Sequence, residues 1–142
     1  MKSYDIVIIG GGPGGYTAAE KAAKAGMQVV LFEQDHLGGT CLNRGCIPTK
    51  TLLHASRVYY DAVNGAGVGV HGSLSYDIGE MFAFKRSVSE KLRSGIHALL
   101  KGAKVDVIEG TAQIAAPGQV DVTGADGAVT RYTAERILAA TG

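Results

Sequence analysis

The sequence predicts an α/β domain of Rossmann-like form, with a parallel central sheet and a small antiparallel β-meander. Two observations lead there. A short β-branched run ending in glycines, a helical stretch and a second apolar run follow one another within about thirty residues. That is the order of a βαβ unit, whose parallel strands need a crossover. After Gly102 the apolar period changes from three-and-four to two, with turn residues between the runs.

In chain order, Tyr4–Ile9 is an apolar run that stops at Gly10 and reads as a buried strand. The glycine cluster follows, then a helix rich in Ala and Lys from Tyr16 to Ala25, with Gly26 as its stop. Gln28–Glu33 is a second buried strand, ending in an acid; together these give a βαβ unit over 4–33. Residues 35–45 read as loop, and helical character runs from Thr49 to Val63, so that a cysteine-bearing loop and helix occupies 35–64. Residues 65–76 read as surface loop. Met81, Phe84, Val88, Leu92, Ile96 and Leu99 then mark a long amphipathic helix over 78–101. The meander, 104–133, comprises Lys104–Ile108, Thr111–Ile114, Gln119–Thr123 and Ala128–Thr133, with turns at Pro117-Gly118 and Asp126-Gly127. A last strand, Arg136–Ala140, runs into Thr141-Gly142, where a ligand turn is expected rather than the end of a domain.

Composition narrows the function classes. The 142 residues suffice for one compact domain. With 46% hydrophobic residues there is ample material for a core, which excludes disorder as the default. The net charge is +1 and no basic block exceeds two residues, so no nucleic-acid partner is expected. The apolar runs fall far short of the roughly 20 residues of a membrane helix. The opening residues resemble neither a signal nor a transit peptide, and the expected location is cytoplasmic. The outlier is glycine, 21 residues, about twice the usual share of roughly 7%. Without proline enrichment, that points to tight turns where backbone meets ligand.

Gly10, Gly12 and Gly15 form G-x-G-x-x-G. Its glycines serve a tight turn, close backbone approach to a pyrophosphate and close helix–strand packing. The following helix N-terminus offers N–H groups and its positive end to phosphates. Glu33, at the end of the next strand, sits where a carboxylate accepts hydrogen bonds from an adenosine ribose. The pattern predicts a dinucleotide but does not separate NAD from FAD.

Cys41 and Cys46 are the only cysteines. Residues five apart on an undistorted helix are too distant for a disulfide, which needs Cα atoms within about 7 Å. Gly45 and Pro48 supply the expected distortion. A thiol near a helix N-terminus and the Lys50 ammonium would favour the thiolate. Three readings stay open on these residues: two unrelated buried cysteines, a zinc site completed by His36 or His54, and a redox-active pair. Zinc is the weakest, because no second ligand pair follows.

The run Gly38-Gly39-Thr40-Cys41-Leu42-Asn43-Arg44-Gly45-Cys46-Ile47-Pro48-Thr49-Lys50 closely resembles the active-site segment of the flavin disulfide reductases. Within that family it is most similar to the branch that oxidises dihydrolipoyl groups, although Arg44 stands where Val is commoner. The likeness extends over the whole chain, including Ala140-Thr141-Gly142, similar to the family's second flavin-contact turn. It implies FAD in the first fold, with Gly10, Gly12, Pro13, Gly14 and Gly15 around the pyrophosphate and Glu33, followed by Gln34, at the ribose. Gly39 and Thr40 would line the phosphates, Lys50 would stand by the reactive ring and Ala112 near the adenine. Cys41 is implied as the thiol that exchanges with substrate, and Cys46 as the thiol facing the flavin. Electrons would pass from a dihydrolipoyl dithiol to the disulfide, to FAD and to NAD⁺. The implied partners are the lipoyl domains of 2-oxoacid dehydrogenase complexes and a second copy in a homodimer. A mercuric-ion or glutathione-reductase-like reductase is the neighbouring alternative, and a non-catalytic FAD-binding module is the alternative for the chain by itself.

The four histidines, His36, His54, His71 and His97, show no pattern that marks a base, and are expected at the surface or in packing. The family's NAD⁺-binding domain, which would carry a second G-x-G-x-x-G between a strand and a helix, is not seen, nor is a segment like its dimer-interface domain. The chain therefore reads as the N-terminal part of an FAD-binding domain from a longer reductase.

Overall fold

A computed structural model describes residues 2–142, and Met1 lies outside the described residues. They form two compact units. One runs up to Gly39 and resumes at Arg93–Gly142; the other is Thr40–Leu92.

The first unit carries a single mixed sheet. Its strands are β1 (Lys2–Ile9), β2 (Val29–Glu33), β3 (Asp106–Glu109), β4 (Thr111–Ala116), β5 (Gln119–Thr123) and β6 (Val129–Ala139). They lie in the order β3-β2-β1-β6-β5-β4. The first four of that order are parallel, and β5 and β4 extend the sheet antiparallel. Helix α1 (Pro13–Lys24) makes the crossover from β1 to β2. Because β1 is central, both of its faces are covered. This is why its apolar run is unbroken rather than alternating. Val7 and Ile9 join Val30, Phe32, Val120, Val122 and Tyr132 in one core cluster. Ile8 points to the other face, beneath the start of α1, where its Cγ2 would lie 3.5 Å from a β-carbon at Gly15. Tyr4 packs against the same cluster, and its hydroxyl donates to the Asp106 carboxylate at 2.6 Å, across the intervening β2.

Two expectations need correction here. The first meander strand is β3, which pairs parallel with β2 from Val30↔Asp106 to Glu33↔Glu109, so it belongs to the parallel sheet. The antiparallel part is β4, β5 and the first half of β6. The strands expected at Ala128–Thr133 and Arg136–Ala140 are one continuous strand. No Gly or Pro interrupts that stretch. What changes along β6 is its neighbour: it pairs with β5 only up to Thr133, whereas its partnership with β1 continues to Ala139.

The second unit is helical. Helix α2 (Gly39–Asn43) forms one short helix inside the segment expected to be loop. Helix α3 (Cys46–Val63) begins three residues before the expected start at Thr49. A 3-10 turn at Gly65–Val68 follows, within the expected surface loop. Helix α4 (Ile78–Gly102) belongs to this unit up to Leu92. Within the unit the buried Ser89 hydroxyl donates to the Leu42 carbonyl at 3.3 Å, tying α4 to α2. The inward ridge of α4 carries Ser89, Ile96 and Leu100. Phe84, Leu92 and Leu99, expected inside, are 49%, 41% and 39% exposed, so the apolar stripe is wider than the buried one. Among the described residues no helix is long and apolar enough to cross a membrane.

Candidate functional site

The glycine turn leaves β1 with its backbone held on both sides. The Gly10 N–H donates to Phe32 O in β2, and the Ala140 N–H beyond β6 donates to Ile9 O, each at 2.8 Å. Gly10 has φ +104, and a β-carbon there would lie 2.2 Å from Ala140 O. Gly15 packs still closer, since its β-carbon would lie 1.8 Å from Gly10 O. These two glycines serve packing. Gly12 and Gly14 serve space: nothing lies within 4 Å of a β-carbon at Gly14, and Gly12 has only Gly39 Cα at 3.7 Å.

Helix α1 starts at Pro13, three residues earlier than expected, with Gly12 in extended conformation at its N-cap. Proline suits the first helical position because the N–H it lacks would be an orphan there. No side chain caps this end. The first-turn N–H groups and the positive end of the helix therefore face outward at a mouth bare of β-carbons, an arrangement that accepts an anion. Gly38 and Gly39 brace the mouth. The Gly38 N–H donates to Gly11 O at 2.8 Å, and a β-carbon at Gly39 (φ +64) would come 2.9 Å from Gly12 Cα.

Glu33 closes the other side. Its Oε2 accepts the Gly11 N–H at 2.7 Å and its Oε1 accepts the Asp35 N–H at 2.9 Å. Beside it lies a cleft of about 90 Å³, lined by Ile9, Gly10, Phe32, Glu33, Gln34, Gly110, Ala112 and Thr141. Gly142 follows Thr141 with φ +90. Gly110 and Phe32 were not legible as site residues. Gly110 turns β3 into β4, and a β-carbon on it would meet Val122 Cγ1 at 2.7 Å and Thr123 O at 2.8 Å. A lone glycine between two β-periodic runs was the available signal.

In the second unit Cys41 and Cys46 form a disulfide, with Cα atoms 4.7 Å apart. They sit on different helices. Helix α2 ends at Asn43, and α3 begins at Cys46 itself. The break is at Gly45, where a β-carbon would stand 3.2 Å from Thr40 O and 3.4 Å from Cys41 Cα. Pro48 is not the source of the distortion: it is buried at the third position of α3, where its missing N–H costs no helical bond. Cys46 thus occupies the first position of an 18-residue helix and is exposed, while Cys41 is half-buried. Lys50 lies exposed one turn further along α3. Thr40, in the first turn of α2, accepts the Arg44 N–H at 2.8 Å. A helix N-terminus and a nearby ammonium both favour thiolate over thiol, so Cys46 is the better leaving group of the pair.

The first unit therefore gathers Gly10, Gly12, Pro13, Gly14, Gly15, Glu33, Gln34, Gly39, Ala112, Thr141 and Gly142; the second gathers Thr40, Cys41, Cys46 and Lys50. All four histidines are exposed. Among the described residues no three His, Cys, Asp or Glu side chains come together as a metal site. The disulfide removes the reading of two unrelated cysteines.

Residues 4–142 match the family described as pyridine nucleotide-disulphide oxidoreductase. The dihydrolipoyl dehydrogenase of Thermus scotoductus is 39% identical over 142 residues, covering 100% of this chain and 30% of the relative. That of Chlorobaculum parvum is 45% identical over 140 residues, covering 98% and 30%. Among solved structures, the Cu(II) complex of the HOCl-induced flavoprotein disulfide reductase RclA from Escherichia coli superposes with a TM-score of 0.83 at 33% identity. That match covers 100% of this chain and 29% of the neighbour. The chain spans about a third of the length of the curated relatives it matches.

Proposed function

This chain belongs to the pyridine nucleotide-disulphide oxidoreductase family, and from that membership we propose that it is the FAD-binding, disulfide-bearing part of a dihydrolipoyl dehydrogenase. The observation that carries the proposal is the Cys41–Cys46 disulfide with Cys46 at the head of α3, in a chain that also builds a cradle for a dinucleotide. The relatives' names supply a dihydrolipoyl substrate class; on this reading its carriers are the lipoyl domains of 2-oxoacid dehydrogenase complexes. NAD⁺ as final acceptor, a homodimeric parent enzyme and a cytoplasmic setting complete the reading.

The cradle fits FAD through its adenosine diphosphate half. The bare mouth of α1 admits a pyrophosphate, with Gly12, Pro13 and Gly14 beside it and Gly39 opposite. Glu33 retains lone pairs for ribose hydroxyls, and Ala112 and Thr141 line the cleft beyond it. FAD, when bound, supplies a two-electron acceptor for a dithiol.

The chain's own residues account for the dithiol step. One thiolate of the substrate attacks Cys41 Sγ, the Cys41–Cys46 bond breaks, and Cys46 leaves as thiolate. The second substrate thiol, as thiolate, then attacks the mixed disulfide and expels Cys41. The substrate ends as a cyclic disulfide and the protein as a dithiol, two electrons having moved from substrate to protein. Cys46 leads because α3 stabilises its negative charge; Cys41 is attacked because the better leaving group lies on the other side of the bond. The test is trapping. A monothiol analogue of the substrate, whose thiolate attacks one sulfur and releases the other as thiolate but which has no second thiol to close a ring, should be captured as a mixed disulfide on Cys41 in the unaltered protein when the released thiolate is alkylated at once. Capture on Cys46, with Cys41 alkylated, would overturn the assignment of roles.

A further inference from the structure

We propose that Glu33 organises the glycine turn before any cofactor arrives, in addition to any contact it makes with a ribose. The inference rests on the reading that this cradle takes the adenosine diphosphate half of FAD, and adds a second task for the same carboxylate. The ribose role would need only one free oxygen at the end of β2. The geometry shows more: Oε2 holds the Gly11 N–H at 2.7 Å while Oε1 holds the Asp35 N–H at 2.9 Å.

Gly11 is the middle residue of the turn, between the two glycines of the fingerprint, and it is held at both of its polar groups. Glu33 takes its N–H, and the Gly38 N–H donates to its carbonyl at 2.8 Å. Its remaining direction is filled too, since a β-carbon would meet Leu37 Cδ2 at 2.5 Å and Glu33 Oε2 at 3.0 Å. The carboxylate is therefore a brace between the turn after β1 and the turn after β2. Only an ionised acid does this, because it presents acceptors at both oxygens. An amide would turn an NH₂ toward one of the two N–H donors. Bracing the turn in advance lowers the ordering cost of binding, so Glu33 strengthens affinity for the pyrophosphate as well as for the ribose.

The test has two independent arms. Amide hydrogen exchange in the cofactor-free chain should show Gly11 and Asp35 protected in the unaltered protein. Glu33→Ala should exchange about tenfold faster or more at both amides, and Glu33→Gln at one of them, with Leu31 in the core unchanged. If Gly11 is already unprotected in the unaltered chain, the brace does not exist, whatever the variants do. The second arm compares FAD with an analogue lacking the adenosine 2′- and 3′-hydroxyls. A brace requires Glu33→Ala to weaken the analogue by at least about fivefold. A role confined to the ribose leaves analogue binding within about twofold, and would overturn the proposal. Protection at Gly11 without affinity for either ligand would retain the brace and refute the cofactor reading.

Discussion

Gly14 and Gly15 are adjacent in the first turn of α1, and alanine should act on them in opposite directions. At Gly15 the new β-carbon would stand 1.8 Å from Gly10 O and 2.9 Å from Gly10 C. Real β-carbons do not approach closer than 3.0 Å, so backbone must move by roughly 1 Å on one side or the other, an overpacking that costs about 3 kcal/mol. The obstacle is the carbonyl of the turn itself, with no flexible side chain to yield. Replacing glycine in a helix returns up to about 1 kcal/mol, leaving a net loss of about 2 kcal/mol for Gly15→Ala. At Gly14 nothing lies within 4 Å, so only the helical gain remains, between zero and about 1 kcal/mol. The two variants should differ by about 2–3 kcal/mol, which for a chain of this size is a gap of roughly 5–10 °C in Tm. Thermal unfolding of the cofactor-free chain, followed by far-UV circular dichroism, reads this directly. Midpoints within about 2 °C of each other would refute the packing argument for the turn.

Other consequences are as specific. Gly45→Ala pushes a β-carbon to 3.2 Å from Thr40 O, so the helix break must open slightly. The thiol pair should then close less readily, seen as an effective concentration at least about threefold lower in a glutathione redox titration. Ser89→Ala removes the buried hydroxyl that donates to Leu42 O and should cost about 1 kcal/mol in urea unfolding. Tyr4 is held neutral well above the ordinary phenol range, chiefly by burial and then by the hydrogen bond to Asp106. Because the folded state keeps that proton longer than the unfolded one, the stabilisation is complete below about pH 10 and is lost as pH rises beyond it. Tyr4→Phe should flatten the alkaline fall in stability, and an unchanged slope would contradict the assignment.

Much of this was readable because it depends on local rules. The βαβ unit follows from two apolar runs, and the fingerprint glycines from the space a turn requires; Gly10 and Gly15 prove to be packing glycines and Gly14 an open one. The parallel placement of β3 was hidden because Asp106–Glu109 has the same short alternation as a meander strand, and only the position of β2 decides its partner. The helix boundary at Cys46 is not apparent from Pro48, which sits within the first turn of α3; Gly45 supplies the break. The exposed Phe84, Leu92 and Leu99 show that a helical apolar stripe does not by itself specify which ridge is covered. The sequence marks Glu33 only as a candidate ribose acid; its grip on Gly11 depends on a fold that brings residues 22 positions apart into contact.

Equilibrium dialysis of the reconstituted 142-residue chain against FAD and against FMN tests most directly whether it recognises the adenosine diphosphate half of a flavin dinucleotide. FMN carries the same flavin ring without the adenosine. The cradle at Gly10–Gly15, Glu33 and Ala112 should retain FAD at one equivalent per chain and leave FMN unbound. Equal retention of the two flavins, or retention of neither, would contradict it.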